Sequence, residues 1–287
     1  VRRAIWVTTV LVLLQIGGLL LVIAVGFPHI GDRPLTEGSA VGVLSAASLV
    51  FFAFIGFDEV VTLSDETKDP ARVIPRALML ALGISTALYV AVGIAAVSVI
   101  DPRDLASSER PLALVMGHDL GTRAAAVVSW IAIASTTNTT LLLLTAASRL
   151  LYHMGQKGAL PAFLGHVNPI TRAPDFAVVV AALIGAAFAV SGRLGLVAAV
   201  TNYSVYAVFI AVNLAVIRLR HTQPDLPRPF SAGRRGSAWP VFPILGLIVT
   251  IIMTAFLEST AWAIGGALTV LAVLVWVARA RWETPPE

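Results

Sequence analysis

The chain has 287 residues, of which 57% are hydrophobic and only 13% are charged, and its mean hydropathy is +0.87. Soluble domains carry about 25% charged residues, so this composition excludes an ordinary soluble fold. The net charge of +4 and the pI of about 10 would suit nucleic acid, but the basic residues are distributed as membrane topology requires, and we expect no nucleic-acid partner. Cysteine is absent, which excludes disulfides and thiolate metal sites.

Apolar residues gather in runs of about 20, the length that crosses some 30 Å of hydrocarbon as a helix. We therefore predict an all-α integral membrane protein whose residues 1–287 form a single transmembrane domain. The first run lacks a small-residue cleavage site and is interpreted as a span, not as a signal peptide. The predicted spans are 4–27, 39–64, 77–100, 122–152, 174–191, 194–218, 240–257 and 261–279.

The basic residues predict the orientation of these spans. With the N-terminus inside, fifteen Lys and Arg residues fall in inner segments and five in outer segments. Cytoplasmic loops carry such an excess of positive charge. We therefore expect a multi-pass protein of the cell membrane with both termini in the cytoplasm.

The second span contains an acidic pair, Asp58 and Glu59, after Gly56 in an otherwise apolar run. Each charge near the bilayer centre costs about 2.5–3.5 kcal/mol, and a glycine weakens a helix by roughly 1 kcal/mol. A helix broken near Gly56 would resolve this conflict, because its freed backbone groups could face a polar cavity or a ligand. The alternative is a continuous helix whose acids lie near the cytoplasmic interface.

Three stretches of this sequence, in the same order and spacing, resemble the amino acid–polyamine–organocation superfamily of permeases. The first, Phe51–Glu59 with Asp65–Pro70 and Ile74–Arg76, is similar to the sixth helix of that superfamily and the loop after it. The second, Ala146–Tyr152 with Gly158–Pro161, is similar to the end of helix eight. The third, Arg218–Arg220 with Pro224–Phe230, is similar to the loop after helix ten. The resemblance covers essentially the whole chain.

The resemblance implies a fold of two inverted five-helix repeats with the substrate between broken helices one and six. On that numbering, this chain holds helices five to twelve: the second repeat plus helices 5, 11 and 12. We therefore expect a partial permease that lacks helices one to four and half of the binding site.

The resemblance also implies the site. The carbonyls of Phe52 and Ile55 would accept from the substrate's amino group, with Gly56 as the hinge. The substrate-binding candidates are Phe52, Ala53, Phe54, Ile55, Gly56 and Phe57. The phenylalanines would form the wall or gate of the site, and their alternative role is packing against lipid or core.

No cofactor is expected, and a proton or sodium gradient would drive transport. Asp58 is the coupling candidate; its alternative role is to cap the second half-helix. Gln15 stands where proton-coupled relatives carry a lysine, and an amide cannot carry that proton. Ser135 and Thr136 are candidates for a sodium site, although such hydroxyls more often bond to the backbone or to neighbouring helices.

Two further pairs of residues have a possible role in transport and an alternative role in structure. Glu66 and Arg149 would both lie at the cytoplasmic mouth and form an inner gate, unless Arg149 is a plain interfacial residue. Asn202 and Tyr203 would line the cavity or, as we expect, bond between helices.

Other classes of function have little support in the sequence. The histidines show no metal-ligand spacing, and no nucleotide-binding motif occurs, so neither a metal nor ATP is expected. The best interpretation is secondary active transport of an amino acid by a protein that is not an enzyme. The alternatives are a non-transporting scaffold or receptor, and an intramembrane enzyme. The sequence does not indicate the oligomeric state.

Overall fold

The computed structural model describes residues 2–32, 39–57, 60, 67–169, 172–190, 192–223 and 240–280, and every regular element in these ranges is helical. The helices are α1 Arg2–Gly26, α2 Ala40–Val50, α3 Pro70–Val99, α4 Pro102–Ser107, α5 Pro111–Gln156, α6 Asp175–Val190, α7 Leu194–Thr222, α8 Val241–Ala255 and α9 Ser259–Ala280. Short 3₁₀ turns occupy Phe27–His29, Phe51–Phe54 and Ala162–Gly165. The prediction of an all-α fold is confirmed.

Several helices extend beyond the apolar runs that predicted them. Helix α3 begins at Pro70 rather than at 77, and α5 covers Pro111–Gln156 rather than 122–152. An apolar run marks the part of a helix that suits hydrocarbon, whereas the hydrogen-bonded helix continues through flanking polar residues such as Arg72 and Arg76.

Four described helices are long and apolar enough to cross a membrane: Trp6–His29, Pro70–Val99, Pro111–Gln156 and Leu194–Thr222. Helices α8 and α9 meet at an angle of 116° and pass the same test as a pair, which would make five. The helical stretches Ala40–Phe54 and Asp175–Val190 are apolar but shorter. The assignment of eight spans stays a prediction.

Large apolar side chains are exposed over most of the helical surface. Trp6 and Trp130 are each 71% exposed, and Val190 is 87% exposed. Soluble proteins rarely present such continuous apolar surface. The surface instead suits contact with lipid chains, as expected of an integral membrane protein.

The chain forms two compact units. The first contains α1, residues 80–99 of α3, and helices α4 to α6. Its core includes Val22, Val99, Met116 and Val128. Met116 and Val128 lie on opposite sides of Gly121, where α5 bends sharply with a φ of 79°, so the two arms of α5 share this core.

The second unit contains α2, residues 70–79 of α3, and helices α7 to α9. Helix α7 is central, because it packs against α2, α8 and α9. Its buried Ala199 and Tyr206 form a core with Leu257 and Ala261. This unit positions the segment with the predicted site.

Candidate functional site

Helix α2 ends within its apolar run. It begins after Ser39, whose Oγ accepts the N–H of Gly42 at 3.1 Å, and its last residue is Val50. The 3₁₀ turn Phe51–Phe54 follows, and it closes with an N–H of Ile55 that donates to the carbonyl of Phe52 at 3.2 Å. The backbone therefore leaves the α-helical path before Gly56.

Gly56 has a φ of 113°, in a region where a side chain would be strained. No atom lies within 4 Å of the place that a Cβ would occupy there. The glycine is therefore required by its backbone conformation and not by lack of space.

A helix that ends exposes carbonyls of its last turn, and in a membrane these groups need partners within the protein. Two side chains of α7 supply them. Asn202 Nδ2 donates to the carbonyls of Ser48 and Leu49 at 2.8 and 3.1 Å. The Tyr206 hydroxyl donates to the same Ser48 carbonyl at 3.0 Å. Asn202 and Tyr206 are 0% and 1% exposed, so these hydrogen bonds form in a buried environment.

The C-terminal end of α8 is satisfied in a similar way. Ser48 Oγ donates to the carbonyl of Met253 at 2.9 Å, and Trp262 Nε1 of α9 donates to the carbonyl of Thr254 at 3.2 Å. Ser48 therefore accepts from α7 through its carbonyl and donates to α8 through its hydroxyl.

Aromatic contacts support the same helix end. The ring of Phe51 lies 4.9 Å from that of Tyr206 and 6.0 Å from that of Phe209, measured between centroids. Phe57, beyond Gly56, also lies 6.0 Å from Phe209. Such pairs add stability beyond the burial of apolar area. Helix α7 thus contacts the segment on both sides of the turn.

The predicted substrate-binding residues 52–57 form one continuous non-α segment after α2. Phe52 is 37% exposed, and its carbonyl keeps a second lone pair after it accepts from Ile55. A role of this segment in binding stays a prediction. Asp58, Glu59 and Glu66 lie outside the described residues.

The hydroxyl candidates for an ion site belong to α5. Thr136 Oγ1 donates to the carbonyls of Ala132 and Ile133 at 2.9 and 3.1 Å. Thr140 Oγ1 donates to the carbonyl of Thr136 at 2.8 Å. These bonds within the helix match the structural alternative for the hydroxyl-rich stretch that begins at Ser135. Its role in ion binding stays a prediction.

The predicted inner gate also stays a prediction. Arg149 is exposed on α5, and its expected partner, Glu66, is not among the described residues. An open groove of about 550 Å³ lies at the bend of α5, where Arg110, Ser129 and Trp130 line it. None of the predicted site residues lines that groove.

The sequence indicated only part of the polar cluster at the end of α2. The expected bonding between helices is confirmed for Asn202. Tyr203 contacts α9 through its ring, 5.4 Å from that of Trp262. Ser48 and Tyr206 were not predicted. The available signal was the spacing of Asn202 and Tyr206, because residues four apart share a helix face.

Comparison with known proteins places this sequence in a family. The family model described as "Amino acid permease" matches residues 1–278. The branched-chain amino acid permease BcaP of Bacillus subtilis is 31% identical over 274 residues, which are 94% of this chain and 56% of that protein. The BcaP of Lactococcus lactis is 29% identical over 291 residues, with 95% and 60% covered.

A relative with another named substrate is about as similar. The methylthioribose transporter of Bacillus subtilis is 29% identical over 272 residues, which are 94% of this chain and 56% of that protein. The chain therefore spans less than two thirds of the length of these relatives. Because the family model matches nearly every residue and the named relatives are permeases and transporters, this chain belongs to the amino acid permeases of the amino acid–polyamine–organocation superfamily.

Proposed function

We propose that the protein to which this chain belongs is a secondary active amino acid transporter of the cell membrane, with residues 1 and 287 on the cytoplasmic side. The observation that carries the proposal is the end of α2: the helix stops at Val50, and residues 51–57 follow a non-α path. Discontinuous helices with free backbone groups form the midplane sites of many secondary transporters.

The chemistry of this segment suits an ammonium group. A 3₁₀ turn followed by an extended Ile55 presents carbonyl oxygens, which are acceptors only. The second lone pair of the Phe52 carbonyl and the carbonyl of Ile55 are the proposed acceptors for the substrate's amino group. The apolar rings of Phe52, Phe54 and Phe57 are the proposed wall or gate. Because hydrogen bonds from a charged ammonium group are stronger than those from a neutral hydroxyl, we propose that this site favours an α-amino acid over a sugar derivative.

We propose that an ion gradient supplies the driving force, with Asp58 as the proton-coupling candidate. Ser135 and Thr136 are the candidates for a sodium-coupled mechanism. The two mechanisms predict different ion dependence. Under proton coupling, a protonophore abolishes accumulation and Asp58→Asn removes the dependence on the pH gradient. Under sodium coupling, accumulation requires sodium and falls in Thr136→Val.

The test is uptake by cells that express the complete gene, in a bacterial host without its own branched-chain amino acid uptake. Radiolabelled leucine, arginine and methylthioribose are compared, with and without a protonophore and with and without sodium. We expect accumulation of an amino acid that collapses with one of the two gradients. Absence of accumulation for all three compounds would support a scaffold or receptor, and accumulation of methylthioribose alone would overturn the substrate class.

A further inference from the structure

We propose that Asn202 and Tyr206 are positioning residues for the substrate site, holding the carbonyl end of α2 so that the Phe52 and Ile55 carbonyls stay in place. This inference rests on the proposed function, which assigns those two carbonyls to the substrate's amino group. The contacts that carry it do not depend on that function.

Asn202 and Tyr206 of α7 bind the last turn of α2. Three donations from α7 converge on the last turn of α2, at 2.8, 3.1 and 3.0 Å. Two of them reach the same acceptor, the carbonyl of Ser48. Only two residues lie between Ser48 and Phe51, where the 3₁₀ turn begins. A displacement of the Ser48 carbonyl is therefore transmitted directly to the Phe52 carbonyl through a single turn of backbone.

Within the described part of the chain, the Asn202 side chain uses its donor but not its acceptor. Its Nδ2 makes two donations, while its Oδ1 is buried and accepts no hydrogen bond from the described residues. A buried acceptor without a partner is unfavourable, because its hydrogen bonds to water are lost without replacement. An apolar residue of similar size would avoid that penalty but would remove one donor from each carbonyl, so that Ser48 would keep the Tyr206 hydroxyl and Leu49 the N–H of Phe51. The asparagine is thus explained by what it donates.

Aromatic side chains of α7 contact the segment at both of its ends. Tyr206 contacts the ring of Phe51 in addition to donating to Ser48, and Phe209, one turn further along α7, contacts both Phe51 and Phe57. One face of α7 therefore fixes α2 before the turn and Phe57 after it. Residues 52–56 lie between these two attachments, as a positioning role requires.

The test compares three single variants and the Asn202→Leu/Tyr206→Phe double variant of the complete gene product. Tyr206→Phe removes one hydroxyl, and Asn202→Leu removes the amide donor at similar volume. Tyr203→Phe is the matched control, because it makes the same chemical change on α7, and Tyr203 contacts Trp262 through its ring, which phenylalanine keeps. Hydrogen–deuterium exchange of residues 51–57 is measured in detergent micelles, and leucine uptake is measured in cells.

We expect exchange of residues 51–57 to become about fivefold faster in Tyr206→Phe, the effect of one hydrogen bond. The KM for uptake should rise by a similar factor while the maximal rate per molecule of protein changes less. Asn202→Leu should show the larger effect, and the double variant should be less than additive, because both residues donate to one carbonyl. Tyr203→Phe should resemble the parent.

The outcomes separate the two proposals. If the parent transports none of the tested compounds, the proposed function fails while the exchange data still decide whether α7 holds the α2 end. If exchange and KM in Tyr206→Phe equal those of Tyr203→Phe, the positioning role is overturned. If Asn202→Leu fails to fold, Tyr206→Phe, which keeps its ring, still decides the question. A lower maximal rate with unchanged KM and exchange would show a general structural role and would also overturn the proposal.

Discussion

The carbonyl of Ser48 accepts the amide of Asn202 at 2.8 Å, although 154 residues separate them in the sequence. This bond lies two residues before the last residue of α2, at the position where a helix exposes unpaired carbonyls. Water could satisfy such carbonyls in a soluble protein, whereas in a bilayer they require protein partners. The contact explains how a helix can stop inside an apolar run without a large energetic penalty.

The backbone conformation of Gly56 gives the first prediction. Gly56→Ala should destabilise the protein by about 1–3 kcal/mol, because a Cβ is strained at a φ of 113° even where no neighbour would be touched. If the turn at residues 52–57 forms the substrate site, Gly56→Ala should also lower the rate of uptake. The control is Gly83→Ala in the middle of α3, which also has open space and should stabilise the helix by up to about 1 kcal/mol. Thermal unfolding in detergent micelles measures both, and equal melting temperatures would contradict the role assigned to the turn.

The hydroxyl of Ser48 gives the second prediction. Ser48→Ala removes the donation to the Met253 carbonyl and should lower the free energy of unfolding by about 1 kcal/mol. Ser98→Ala is the matched control. Ser98 is also buried, but its hydroxyl donates at 2.8 Å to Ile94, a carbonyl of its own helix. That loss should be smaller, and a larger loss in Ser98→Ala would argue against the importance of the bond between α2 and α8.

Close approach of α1 and α3 gives the third prediction. A Cβ at Gly26 would lie 2.5 Å from the Cβ of Ala95 and 2.8 Å from its carbonyl oxygen. Because these contacts include backbone atoms of Ala95, no side-chain rotation can relieve them, and the two helices would have to separate. This separation should lower the free energy of unfolding by about 1–3 kcal/mol. Gly17→Ala, on the same helix but with open space around it, should be neutral or slightly stabilising. A melting temperature for Gly26→Ala at or above that of Gly17→Ala would show that this approach is not tight.

Neighbouring glycines of α9 give the fourth prediction. A Cβ at Gly265 would overlap the ring of Tyr203, whereas one at Gly266 would meet nothing within 4 Å. Gly265→Ala should therefore displace Tyr203 from its edge contact with Trp262 and lower the stability by about 1–3 kcal/mol. Gly266→Ala should leave the stability close to that of the parent. Tryptophan fluorescence during thermal unfolding reports the stability. The difference spectrum against a Trp262→Phe variant of each protein isolates Trp262 among the six tryptophans, and an unchanged difference spectrum in Gly265→Ala would contradict the expected displacement.

Much of the architecture could be predicted from local sequence. The sixth predicted span, 194–218, corresponds to α7, Leu194–Thr222, and the fifth, 174–191, corresponds to α6, Asp175–Val190. Helices that face lipid satisfy their backbone internally, so an apolar run of sufficient length specifies the element by itself. The bend at Gly121 is different. The fourth predicted span begins at 122, whereas the structure joins it to a preceding helix that begins at Pro111, through one glycine with a positive φ.

By itself, the sequence determined the helical class of this protein, the approximate place of its helices and the family to which it belongs, because apolar runs and family motifs are properties of contiguous residues. Only the tertiary structure decided which groups satisfy the ends of those helices. Ser48, Asn202, Tyr206 and Met253 come from three separate helices, and no local pattern states that they meet. The physical reason is that the hydrogen bonds of a helix interior join residues four apart, whereas the last carbonyls of a helix must find partners wherever the packing of other helices supplies them.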